Sequence, residues 1–311
     1  WADFLATARP EQAKDLWSKA EKLLREALSQ REEEGGWFAQ ADLLDDLCDL
    51  YAAQHRAGFD GRRELEQYLD KLDSLARKHG FARYLCRTAM RFAHLAWEDG
   101  RYREAIEYYV NACVHAGMTT ATGERGARTA YDLLVQEIEQ RLNSCPRDED
   151  KVELAQLAVQ LWGRKSQPGV HPQFTYACQR VLYPAQARLY EREADPFFLQ
   201  GQKAYEGQDQ AQADTLFAQA FERYVRACDS AARLAEAAFE HYRQYIALTE
   251  KLRRQLYVLP SMDMARKYSQ EIEKDWWELG QAQRHQAVLD VCRNVQESAD
   301  LSILQDARRQ L

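Results

Sequence analysis

Proline and glycine are scarce in this chain, with 7 and 14 of them among 311 residues. Breakers that rare leave long stretches uninterrupted, and the alternating Val, Ile and Thr runs that make strands are missing. Cysteine offers no framework either. The 7 cysteines (Cys48, Cys86, Cys113, Cys145, Cys178, Cys228, Cys292) stand far apart, are odd in number and include no CxxC pair. That argues against a disulfide scaffold and for thiols packed as small hydrophobes in a reducing cytoplasm. No apolar run approaches the roughly 18–20 residues of a membrane span, and no secretory leader is recognisable. An excess of basic charge is also lacking. With 42 Lys and Arg against 49 Asp and Glu, the net charge is −7, which argues against nucleic acid or anionic lipid as a partner of the whole chain. Position 1 is Trp, not Met, which reads as a fragment or processed product.

Signatures of chemistry are missing as well. The seven histidines (His55, His79, His94, His115, His171, His241, His285) show no HExxH spacing, and neither GxxxxGK[ST], GxGxxG nor GxSxG occurs. Cys113 or Cys178 with a distant histidine would make a nucleophilic pair, but an isolated buried thiol is the commoner arrangement. Carboxylates in series, such as Asp45 and Asp46 or Glu32, Glu33 and Glu34, read as solvated faces. The expectation is no catalytic residue, no metal and no cofactor.

What remains is dominated by Ala, Leu, Glu, Gln, Arg and Lys, the best helix formers, and the fold class is all-α. Breakers mark helices over about 10–34, 39–57, 61–80, 81–98, 102–115, 127–143 and 148–161. The stretch 117–126 (GMTTATGERG) reads as a loop. Residues 164–172, rich in Pro and Gly, read as a linker between an N-terminal half, 1–163, and a C-terminal half, 173–311. In the second half helices are expected at 173–193, 196–206 and 211–228, with Asp195 capping a helix that starts at Pro196. The apolar residues Leu234, Ala238, Tyr242, Tyr245, Leu248 and Leu252 predict one long helix over 230–256, packed on its neighbours or forming a coiled-coil seam. Two helices follow Pro260.

The clearest unit is 92–112, FAHLAWEDGRYREAIEYYVNA. Two amphipathic helices meet at a glycine-centred turn, with Ala93, Ala96, Ala105 and Ala112 where they cross and Phe92, Trp97, Tyr102 and Tyr109 around them. Counting from Cys86, the residues Phe92, Ala93, Ala96, Gly100, Tyr102, Ala105, Tyr109 and Ala112 resemble the tetratricopeptide repeat, a hairpin of about 34 residues. Ala89 and Ala96 stand where two large anchors belong. A second match begins at Ala194 (Phe197, Gly201 and, after a one-residue slip, Ala213, Phe217, Ala220). A third opens near Glu273 (Trp276, Leu279, Gly280), and 58–72 holds a degenerate fourth. The resemblance implies an α-solenoid of antiparallel hairpins, with some irregular longer helices, whose concave groove binds a protein segment.

Arg83, Arg87 and Arg91 recur every four residues and so form a stripe along one helix face, which His94 and Trp97 continue. In the resemblance Arg87, Met90, Arg91, His94 and Trp97 occupy groove-lining positions, with Tyr205 and Trp277 as further apolar anchors. Like charges at that spacing repel, so the stripe needs acids to face it. Those acids are either internal (Asp70, Asp73 or Glu104) or belong to a ligand: an acidic peptide, a terminal carboxylate or a phosphate. Two further basic faces, Arg180, Arg188 and Arg192 and Lys251, Arg253 and Arg254, read as solvated surface. The functional expectation is a cytoplasmic, non-enzymatic interaction scaffold for a protein or peptide partner. Alternatives are the sensor segment of a larger bacterial signalling or defence protein carrying an ATPase or caspase-like protease, and an all-helical enzyme.

Overall fold

The computed structural model describes residues 10–121, 127–165, 172–235, 239–280 and 285–310, so most of the expected linker at 164–172 and the end of the 117–126 stretch lie outside the described residues. The described residues form twelve helices and no strand. They are α1 (Pro10–Glu34), α2 (Trp37–Arg56), α3 (Arg62–His79), α4 (Ala82–Glu98), α5 (Tyr102–Ala121), α6 (Ala127–Ser144), α7 (Asp148–Lys165), α8 (Pro172–Glu206), α9 (Gln210–Ala235), α10 (Phe239–Tyr257), α11 (Met262–Glu278) and α12 (Ala287–Gln310). The chain divides into two compact units, Trp1–Ile138 with Leu157–Thr175, and Glu139–Gln156 with Tyr176–Leu311.

In the first unit α3 shows how sequence becomes structure. Leu65, Leu69, Leu72 and Ala76 fall three or four apart, Tyr68 adjoins them on the same face, and all are buried, each large one contributing about 1.5–3 kcal/mol. The helix stops at Gly80, which takes left-handed dihedrals (φ 70°, ψ 30°) that a side chain would strain, and returns its N–H to the Ala76 carbonyl. Neighbouring helices run antiparallel. Between α2 and α3, Tyr51 stacks on Tyr68 at 5.6 Å and Trp37 on His79 at 5.0 Å. Between α4 and α5, Phe92 meets Tyr108 and Trp97 meets Tyr102, with ring centroids 5.3 and 4.8 Å apart. The crossing alanines, Ala93, Ala96, Ala105 and Ala112, are buried as the hairpin pattern requires.

In the second unit α9 packs on α10 and α11 on α12, and α9 also meets α11, as α10 meets α12. Gly201 of α8 lies under the Phe217 ring of α9, so close that an added Cβ would sit 2.9 Å from ring carbons. Glycine is thus required by approach and not by dihedral angle. Ser261 caps α11 by accepting from the Met264 N–H at 3.2 Å.

Three expectations about elements are corrected. First, α8 is a single helix of 35 residues that runs through Pro184 and Pro196. Asp195 does not cap a new helix because its carboxylate is engaged elsewhere: it accepts from Tyr224 at 2.6 Å and from Lys251 at 2.9 Å. Second, 230–256 is not one helix. α9 ends at Ala235, α10 begins at Phe239, and the two pack against each other, because that contact buries Tyr224, Cys228, Tyr245 and Leu248 in one core. Third, residues 117–121 continue α5, where the Thr119 and Thr120 hydroxyls both donate to the Ala116 carbonyl at 2.8 Å.

Candidate partner-binding face

α4 carries the arginine stripe, and α2 carries its answer. Tyr84 donates to Asp42, Arg87 pairs with Asp45, and Arg91 pairs with Asp49, all at one offset of 42 residues. A constant offset means that the two helices run parallel and in register. Each arginine also reaches the other acid. Arg91 meets Asp45 at 2.6 Å and Asp49 at 2.5 Å, and Arg87 meets Asp49 at 3.0 Å.

The centre of this cluster is dry. Arg91 is 6% exposed and Asp45 2%. Burial by itself would lower the Arg91 pKa, but Asp45 and Asp49 more than offset it and the net direction is upward. The adjacent Cys48 thiol is pushed up to about 12 by burial, with Arg91 opposing. Asp46, on the same helix, is raised by partial burial and by its neighbours Asp45, Asp49 and Asp42. Breaking such a pair from one side costs about 3–5 kcal/mol, because the remaining charge stays buried and unpaired.

This corrects the reading of the stripe. The acids that face it are internal, but they are Asp45 and Asp49, not Asp70, Asp73 or Glu104. Asp73 is taken by Arg77 one turn on, at 3.2 Å in one arm of a two-armed contact, and Glu104 by Arg101 at 2.5 Å. Asp45, expected on a solvated face, is in the core. A sequence signal for the match existed. Positions 42, 45 and 49 and positions 84, 87 and 91 have the same spacing, so opposite charges on two parallel helices can meet in sequence order.

The other expected residues have separate roles. His94 Nε2 lies 2.5 Å from the Glu137 Oε1, which also accepts from the Tyr109 hydroxyl at 3.1 Å. That contact joins α4 to α6. Trp97 lies against Tyr102 and Met90 is half-buried. Tyr205 and Trp277 belong to the second unit, where Tyr205 packs on the core and Trp277 is 51% exposed. Of the two further basic faces, Arg180, Arg188, Arg192 and Lys251 reach other helices, whereas Arg253 and Arg254 stay exposed, as a solvated surface would, and pair with Glu250 of their own helix. Arg180 pairs with Glu139, Arg188 with Asp148 at 2.6 Å, Arg192 with Glu149 at 2.7 Å, and Lys251 with both Glu191 and Asp195.

Arg83 differs from its two stripe-mates. It is exposed, has no carboxylate partner among the described residues, and sits 6.0 Å from the Tyr84 ring centroid. Next to it is a group of rings from three helices and the turn between two of them: Trp37 and Phe38 of α2, His79 of α3, Phe81 before α4 and Tyr84 of α4. Sequence reading missed this group because its members are scattered over almost fifty positions.

Thiol chemistry has no support in this geometry. All seven cysteines are free, six of them buried, and burial pushes Cys178 up to about 12. Among the described residues no three His, Cys, Asp or Glu side chains gather as a metal site would need, and no helix is long and apolar enough to cross a membrane. The chain matches no protein-family model, and comparison with curated proteins gives no match.

Proposed function

We propose that this chain is a non-enzymatic interaction module. In this reading, helical hairpins stack within each unit in the manner of tetratricopeptide repeats and present a preformed surface to a segment of another protein. The observation that carries it is the constant offset between helices two apart. The α2 and α4 pairs share an offset of 42 residues. Between α8 and α10, the Gln244 amide reaches the Pro184 carbonyl and Lys251 reaches Glu191, both 60 residues away. Parallel alternate helices with antiparallel neighbours are what a stack of hairpins requires. The ion pairs between them hold the wall in one arrangement, so a partner need not bear the cost of ordering it.

Arg87 and Arg91 act in this reading as braces of the wall and not as contacts to the partner. The test is a selection of displayed random twelve-residue peptides on the purified chain. A recurring motif that binds the chain with micromolar or better affinity is the expected result. Failure to enrich any motif, from linear or constrained libraries, would overturn the proposal.

A further inference from the structure

We propose that the ring cluster where α2 begins, α3 ends and α4 begins is a docking site for a peptide segment that carries an aromatic or branched aliphatic side chain beside carboxylates. The inference rests on the reading of the chain as a peptide-binding module.

Trp37 and Phe38 are 44% and 56% exposed, although they open a helix that buries Ala41, Leu44, Leu47, Cys48 and Tyr51 further on. They are not isolated. Trp37 lies nearly parallel to His79 at 5.0 Å, and His79 nearly parallel to Phe81 at 5.6 Å. Phe38 meets both Phe81 and Tyr84 edge-on at 5.7 Å. The two exposed rings, Trp37 and Phe38, thus rest on the half-buried His79 and Phe81 with Tyr84 buried beneath, one connected aromatic patch instead of scattered rings, and such patches mark binding sites. Its base is rigid. The Phe81 N–H is bonded to the Ala76 carbonyl at 2.9 Å, and Tyr84 is tied to Asp42.

Two cations border the surface. Lys78 Nζ is 5.2 Å from the Trp37 ring and Arg83 is beside Tyr84. Neither has a carboxylate partner among the described residues, whereas Arg77, Arg87 and Arg91 around them all do. His79 adds an unmet polar atom: its Nε2 is shielded from water without a hydrogen-bond partner. Of the nearest acids in sequence, Asp42 is held by Tyr84 and Glu34 by Gln30 and Arg31, while Glu32 and Glu33 stay exposed on α1. A bound carboxylate is therefore drawn to the α3–α4 side. Rings for an apolar anchor and free cations for flanking charge are the complement of an acidic, apolar segment. A second copy of the chain or an anionic membrane fits less well, because the whole chain carries −7 and two cations do not reverse that.

The test measures the selected peptides against Lys78→Ala/Arg83→Ala and, separately, Trp37→Ala/Phe38→Ala. Selected motifs should pair Trp, Phe, Leu or Ile with Asp or Glu. Each double variant should weaken binding at least tenfold, and so should Asp→Asn and Glu→Gln changes in the peptide. Far-UV circular dichroism and the melting midpoint report folding. Should the aromatic variant unfold, the charge variant decides alone, since Lys78 and Arg83 are exposed and have no hydrogen bond or ion pair among the described residues to lose. Peptides that bind both variants as tightly as the original would overturn this site and leave the interaction module standing. Selection of basic motifs would overturn it too. So would a loss, in the same variants, of binding to phosphatidylserine vesicles or of self-association in sedimentation, in place of peptide binding.

Discussion

Arg91 is where a residue-level reading of charge goes wrong most instructively. On a helical wheel it belongs to a basic stripe, and a stripe invites a ligand. In the folded chain its guanidinium is the most buried charge on α4, and its two arms are filled by Asp45 and Asp49. Its role is therefore tested by stability, not affinity. Arg91→Ala is expected to destabilise by about 3–5 kcal/mol in urea unfolding. Arg91→Met combined with Asp45→Leu should recover most of that loss, because two apolar residues leave no buried charge behind. A single substitution that costs less than ~1 kcal/mol would mean that water reaches Asp45.

At the scale of the element, α8 is the case that propensity misjudges. Asp195 followed by Pro196 is a strong helix start in isolation, yet the helix passes through both. Proline inside a helix forgoes one backbone hydrogen bond and crowds the preceding turn. Here the loss is outweighed by what a continuous helix brings: Ala187, Ala194 and Phe198 enter one core with α9 and α10, and Asp195 is held by Tyr224 and Lys251. Pro196 itself is exposed, so replacing it removes little packing. Pro196→Ala should thus raise stability by roughly 1–3 kcal/mol, with unchanged or slightly higher helical content by circular dichroism. A fall in stability would mean that the ring, and not the helix, was what the site needed. The α9–α10 reversal teaches the same lesson in the opposite sense. No Pro or Gly stands in residues 230–256 to end a helix, yet α9 stops at Ala235 and packs against α10.

Considered as a whole molecule, the chain has two compact units, each with its own contiguous core. In the proposed stack of hairpins each helix depends mainly on its nearest neighbours, so damage is expected to stay local. Hydrogen exchange on Arg91→Ala should show amide protection lost in α2, α3 and α4, with α9 through α12 retaining theirs. Uniform loss across both units would indicate a single cooperative block.

The sequence by itself determined the helical class, the hairpin at 92–112, the burial of its crossing alanines and most helix ends. These follow from local properties: the period of apolar residues, glycine where φ must be positive, and the helix preference of the commonest residues. Only the tertiary structure decided which arginines were spent and which were left over. Arg83, Arg87 and Arg91 are equivalent along one helix. They differ because α2 brings acids to the last two, whereas the first sits beside Tyr84 of its own helix with no acid facing it among the described residues. Local sequence specifies how a helix forms, but the partner of a charge is chosen by whichever helix the folded chain brings within ~4 Å.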